Sequence, residues 1–121
     1  MKEKNCVYRV EATDDRLVIL LSGEMDHHNA VAVRGEIDQL IRERMPMRVE
    51  IDLSGIGFMD SSGLGFVMGR YALATKMGMK FVLKNPNPVT VKIFSLAGLE
   101  RMITIENDKN VSDKLNGEVE E

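Results

Sequence analysis

Arg48-Val49-Glu50-Ile51-Asp52-Leu53 alternates charged and apolar side chains, and further along Asp60-Ser61-Ser62-Gly63 gives way to Leu64, Val67, Met68, Tyr71, Ala72 and Thr75 at helical spacing. Period two marks a strand, and the later period of 3.6 marks a helix. Ser54-Gly55-Ile56-Gly57 between them reads as a turn, followed by Phe58 and Met59. A strand that delivers the chain through a polar cluster into a helix is the repeating unit of a parallel α/β sheet.

The flanks repeat that unit. Upstream, Ala30, Val33, Ile37, Leu40 and Ile41 share one helical face while Arg34, Asp38 and Arg42 share the other. Asp26 or Asn29 can cap this helix and Pro46 stops it. Gly23 to Asn29 reads as a polar loop. Before it, Arg16 to Ser22 is an apolar run of strand length, and Cys6 to Glu11 reads as an edge strand. Asp14-Asp15 would close those two strands into a hairpin. Downstream, Gly78 ends the second helix and Lys80 to Lys84 is a strand. Asn87-Pro88 then starts a short helix running through Ile93, Phe94 and Leu96 to Gly98. Met102 to Ile105 is a last strand. Val111 and Leu115 allow one or two further helical turns in an acidic tail. The expectation is one α/β domain over residues 1–121, with a core at about 6–106 and a tail at 107–121. Its sheet is mixed and mostly parallel, with about five strands and about four helices.

Composition narrows the function classes. The chain has 121 residues, a formal net charge of −3 and 44% hydrophobic residues. That suffices for one hydrophobic core without staples. No basic cluster with interleaved aromatics exists, so neither nucleic acid nor an anionic membrane is an expected partner. The apolar run Leu17 to Leu21 is far too short to span a bilayer. The N-terminus lacks a signal-peptide pattern, and the single cysteine, Cys6, suits a reducing compartment; the expected location is cytoplasmic. Nine methionines read as gap-fillers of the core.

Chemistry concentrates in Gly57 to Gly65, where the chain surfaces between strand and helix. Asp60, Ser61 and Ser62 are helix-capping residue types, and that role alone accounts for most of the cluster. Two hydroxyls behind a carboxylate exceed the needs of one cap. Neither serine has the G-x-S-x-G elbow. Gly63, Gly65 and Gly69 miss the dinucleotide spacing, and there is no P-loop. His27-His28 with one cysteine makes no metal site; both histidines read as solvated loop or capping residues. Glu24 and Asp26 are explained by the dipole of the helix that follows. No cofactor and no enzymatic activity are expected.

Leu21-Ser22-Gly23-Glu24-Met25-Asp26-His27-His28-Asn29-Ala30, Phe58 to Gly65, Met68-Gly69-Arg70-Tyr71 and Ile93 to Leu99 together resemble the STAS-domain anti-anti-sigma factors. The closest branch is that of the anti-sigma F factor antagonists of sporulation. The match runs from about Val7 to Glu106; Met25 replaces the usual leucine. The resemblance implies a protein, monomeric when free, that binds an ATP- or ADP-bound anti-sigma factor serine kinase and so frees a sigma factor. The kinase would phosphorylate Ser61 to end binding, and a serine phosphatase would restore it. The partner-binding residues it implies are Gly23, Glu24, Asp26, His27, Asp60, Ser61, Ser62, Gly63, Leu64 and Arg70. Ser62 is expected to cap or shape the loop rather than to accept phosphate. A STAS module of another partner-switching or lipid-transport system is the first alternative. A small phosphotransfer protein or enzyme using His27 or Asp60 is the second.

Overall fold

The computed structural model describes residues 6–108. In chain order the elements are β1 (Val7–Ala12), β2 (Arg16–Met25), α1 (His27–Arg44), β3 (Arg48–Met59), α2 (Ser61–Lys76), β4 (Lys80–Lys84), α3 (Pro88–Leu96), a 3-10 turn (Leu99–Arg101) and β5 (Thr104–Glu106). The five strands lie in the order β1-β2-β3-β4-β5. β1 pairs antiparallel with β2, and every other pair is parallel.

Each parallel strand is added on the same side of its predecessor, so right-handed crossovers bring α1, α2 and α3 to one face of the sheet. Leu17, Ile19 and Leu21 of β2, Val49, Ile51 and Leu53 of β3, and Phe81 and Leu83 of β4 point to that face. They form one buried cluster with Val33, Ile37 and Ile41 of α1, Phe66 and Val67 of α2 and Phe94 of α3. Each such side chain, taken from water, contributes about 1.5–3 kcal/mol. Cys6 joins the cluster at its margin; burial, and then the charge of Asp26, push its thiol up to about 11.

The opposite face carries no helix among the described residues and is held by charge. Arg16 and Arg48 both reach Glu50, at 3.4 and 2.6 Å, and Glu50 is only 3% exposed. Arg48 also reaches Glu106 at 3.2 Å. Lys84 meets Glu106 at 3.3 Å and Asp108 at 2.6 Å. The register aligns Glu50 with Val82 and Thr104, and Asp52 with Lys84 and Glu106. The Arg48–Glu106 pair therefore crosses β4 diagonally over Val82, a fully buried valine outside the helix-facing cluster. The hydrogen bond to Glu50 is the main cause that raises the Arg48 pKa. For Lys84, burial pulls downward but the bonds to Asp108 and Glu106 outweigh it, and its pKa rises.

The expected order of elements is present, with three corrections. β2 continues past Ser22 through Gly23 to Met25, where a loop was expected, and β3 continues through Ser54 to Met59, where a turn was expected. The two extensions pair with each other across register shifts, Ser22 with Gly55 and Met25 with Met59. Gly55 is required there. A Cβ on it would sit 2.8 Å from the Leu21 carbonyl oxygen and 2.7 Å from the Ser22 Cβ. Second, β5 starts at Thr104, because the 3-10 turn uses Leu99 to Arg101 and the Met102 N–H closes it onto the Leu99 carbonyl. Third, the described residues hold three α-helices rather than about four; the turns expected around Val111 and Leu115 lie outside the described residues. Gly78 does adopt the left-handed conformation, φ 78°, just past α2.

Candidate functional site

The ends of β2 and β3 define the site. Met25 and Met59 are paired and buried, and immediately after them both chains turn into helices. Asp26 and Asp60 do this in the same way. Each is extended with φ −104°, and each offers a carboxylate oxygen to a backbone N–H of the first turn. Asp26 accepts from the Asn29 N–H at 2.9 Å, and Asp60 accepts from the Ser62 N–H at 2.8 Å. The Asn29 side-chain amide, itself buried, donates to the Glu24 carbonyl at 2.8 Å and ties the entry of α1 to β2. Gly63 is buried because a Cβ would collide with the Met59 side chain; this lets the first turn of α2 rest on Met25 and Met59.

Two parallel helix N-termini thus lie side by side at the carboxyl edge of the sheet. Each has the partial positive charge of a helix start. Their first residues, His27 and Ser61, are exposed. The Ser61 hydroxyl makes no hydrogen bond among the described residues. A negative group added to its oxygen would sit at the positive end of the α2 dipole.

The structure brings most of the expected residues to this edge. Gly23 and Glu24 are in the last stretch of β2, with Glu24 paired to Phe58. Asp26, His27, Asp60, Ser61, Ser62, Gly63 and Leu64 follow at the two helix starts. His27 and His28 begin α1 rather than occupying a loop. Ser62 does not cap α2; the cap is the Asp60 carboxylate, and Ser62 supplies the N–H that it accepts. Arg70 departs from the expected surface. It is 7% exposed, with its Nε 2.7 Å from Asp38 Oδ1 and an Nη donating to Asp38 Oδ2 at 3.1 Å. It also donates to the Phe66 carbonyl and lies 5.1 Å from the centre of the Phe66 ring. Burial lowers its pKa, Asp38 opposes that, and Arg34 and Arg42 add to it. Arg70 clamps α2 to α1 instead of pointing outward. Asp38, placed by periodicity on the polar face of α1, is its partner, and no local pattern near Arg70 pointed to it.

Between the N-terminal halves of α1 and α2 lies a cleft of about 310 Å³ reached from His27, Arg34 and Ser62. Among the described residues no group of three or more His, Cys, Asp or Glu side chains is placed to hold a metal ion, and no helix is long and apolar enough to cross a membrane.

The cap makes a local prediction. Asp60→Ala removes the acceptor for the Ser62 N–H and costs about 1 kcal/mol of stability, read as a lower urea midpoint with an unchanged slope.

Comparisons with known proteins match most of the chain. The STAS domain family profile matches residues 8–112. The anti-sigma F factor antagonist of Paenibacillus polymyxa is 35% identical over 100 residues, covering 82% of this chain and 86% of that protein. The anti-sigma factor antagonist SpoIIAA in its unphosphorylated form superposes with a TM-score of 0.72 at 29% identity, covering 92% of this chain and 97% of that one. The Bacillus cell fate determinant SpoIIAA in its phosphorylated form gives a TM-score of 0.67 at 29% identity, covering 90% of this chain and 99% of that one.

Proposed function

The chain belongs to the STAS domain family, and from that premise we propose that it is an anti-sigma factor antagonist switched off by phosphorylation of Ser61. The observation that carries the proposal is the exposed Ser61 hydroxyl at the first position of α2, which makes no hydrogen bond among the described residues and directly follows Asp60. The reading is further supported by relatives named for antagonism of an anti-sigma factor and by a structural relative known in phosphorylated and unphosphorylated forms.

In this reading the unmodified protein presents Gly23, Glu24, Asp26 and His27 from one helix entry and Asp60 to Leu64 from the other. The anti-sigma factor, a serine kinase, docks over both, and docking frees the sigma factor for transcription, as in sporulation. Arg70 contributes by fixing the angle between α1 and α2, not by touching the partner. Phosphate on Ser61 adds about −1.5 to −2 charges. The helix ends accommodate that charge within the monomer. A docked protein has to desolvate it beside Asp60, and binding is lost without a change of fold. A serine phosphatase reverses the modification in the cytoplasm.

The test is to incubate the chain with an anti-sigma factor kinase, ATP and Mg²⁺ and to map the product by mass spectrometry. One phosphoryl group on Ser61 and none on Ser62 is expected. Phosphate on Ser62 would reassign the switch residue, and no phosphate beside an active kinase would sink the proposal.

A further inference from the structure

We propose that the cleft between α1 and α2 receives an acidic side chain of the anti-sigma factor partner; this rests on the function proposed above. The cleft is lined by His27, Arg34, Ser62, Gly65, Gly69 and Arg70, among others. Its floor is open because Gly65 and Gly69 carry no side chain, and a Cβ on either would meet nothing within 4 Å. It begins at Ser62 and His27, the direct neighbours of the Ser61 edge, so a protein docked over Ser61 also covers it.

Its charge selects the occupant. Arg34 and Arg42 both act on Arg70 across this seam, and Asp38 is the carboxylate paired there. Three guanidinium groups around one carboxylate leave positive charge in surplus, in a chain whose formal net charge is −3. Arg42 lies in the last turn of α1, where the helix dipole favours a cation. Arg34 lies in mid-helix, where the dipole gives no such reason, and it forms no hydrogen bond or ion pair among the described residues. A solvated arginine needs no partner, but this one stands on the wall of an open cleft whose deeper guanidinium is already committed to Asp38. A carboxylate entering beside Ser62 would meet the free fork of Arg34, which suits bidentate pairing. The same carboxylate accounts for the direction of the switch. It is drawn in by the arginines and repelled by a phosphoryl group on adjacent Ser61.

Titration calorimetry against the anti-sigma F factor of Paenibacillus polymyxa, at low and high salt, tests this. The wild-type chain is expected to bind, more weakly at high salt. Arg34→Gln is expected to weaken binding several-fold and flatten the salt dependence. Arg34→Glu is expected to weaken it on the order of tenfold or more by setting like charges together. Arg9→Glu, a charge change of the same size at an exposed position on β1, is expected to have no effect. Binding by Arg34→Glu within twofold of wild type, or an equal loss in Arg9→Glu, overturns the inference and leaves the functional reading standing. A wild-type chain that does not bind overturns both.

Discussion

Ser61→Asp binds an anti-sigma factor on the order of tenfold to a hundredfold more weakly than the wild type, while its melting temperature stays the same or rises slightly. The two halves of this expectation come from the same position. Within the monomer, residue 61 is the first residue of α2 and is exposed, so a carboxylate there faces the positive end of the helix and gains about 0.3–1 kcal/mol. At an interface that carboxylate is brought beside Asp60 and has to shed water, and every 1.4 kcal/mol is about a tenfold loss of affinity. Ser61→Ala separates the charge from the hydroxyl; it is expected to bind like the unmodified protein and to stay bound after kinase and ATP are added. Calorimetric titration with thermal melts of both variants decides the matter. A tight-binding Ser61→Asp would show that charge at this edge does not govern docking.

Asp38→Ala is expected to cost about 3–5 kcal/mol, a large share of the stability of a domain this size. It leaves the buried Arg70 side chain without its carboxylate and with Arg34 and Arg42 as neighbours. The reverse removal is milder. Arg70→Met replaces the buried cation with an apolar chain of similar length against the Phe66 ring, and leaves Asp38, the more exposed of the two, able to reach water. Urea denaturation of the two variants should therefore rank Asp38→Ala well below Arg70→Met. Equal losses would mean that the pair acts by packing alone. Because the pair joins α1 to α2, Asp38→Ala should also weaken docking by loosening the angle between the two helix starts.

The parts of this fold that were readable in the sequence are those set by local chemistry. The alternation of Arg48 to Leu53, the Asn87-Pro88 helix start and Gly78 at the end of α2 each depend on residues near in the chain. The misread stretches depend on partners distant in the chain. Gly23-Glu24-Met25 and Ser54-Gly55-Ile56-Gly57 read as loop and turn, yet they are strands because the ends of β2 and β3 pair with each other around a bulge. That pairing carries the two strands to the caps at Asp26 and Asp60 and sets the two helix entries beside each other. The candidate residues at the Ser61 edge were legible as a motif. The inward turn of Arg70 was not, because Asp38, its partner, is 32 positions away and its own neighbours carry no acidic group.

Since Asp60 secures the start of α2 through its carboxylate and its carbonyl, the oxygen of residue 61 makes no bond among the described residues that holds the fold. In the proposed cycle that oxygen can be written and erased without passing through an unfolded intermediate, so the output would follow the current ratio of modifying to erasing enzyme rather than the history of the fold.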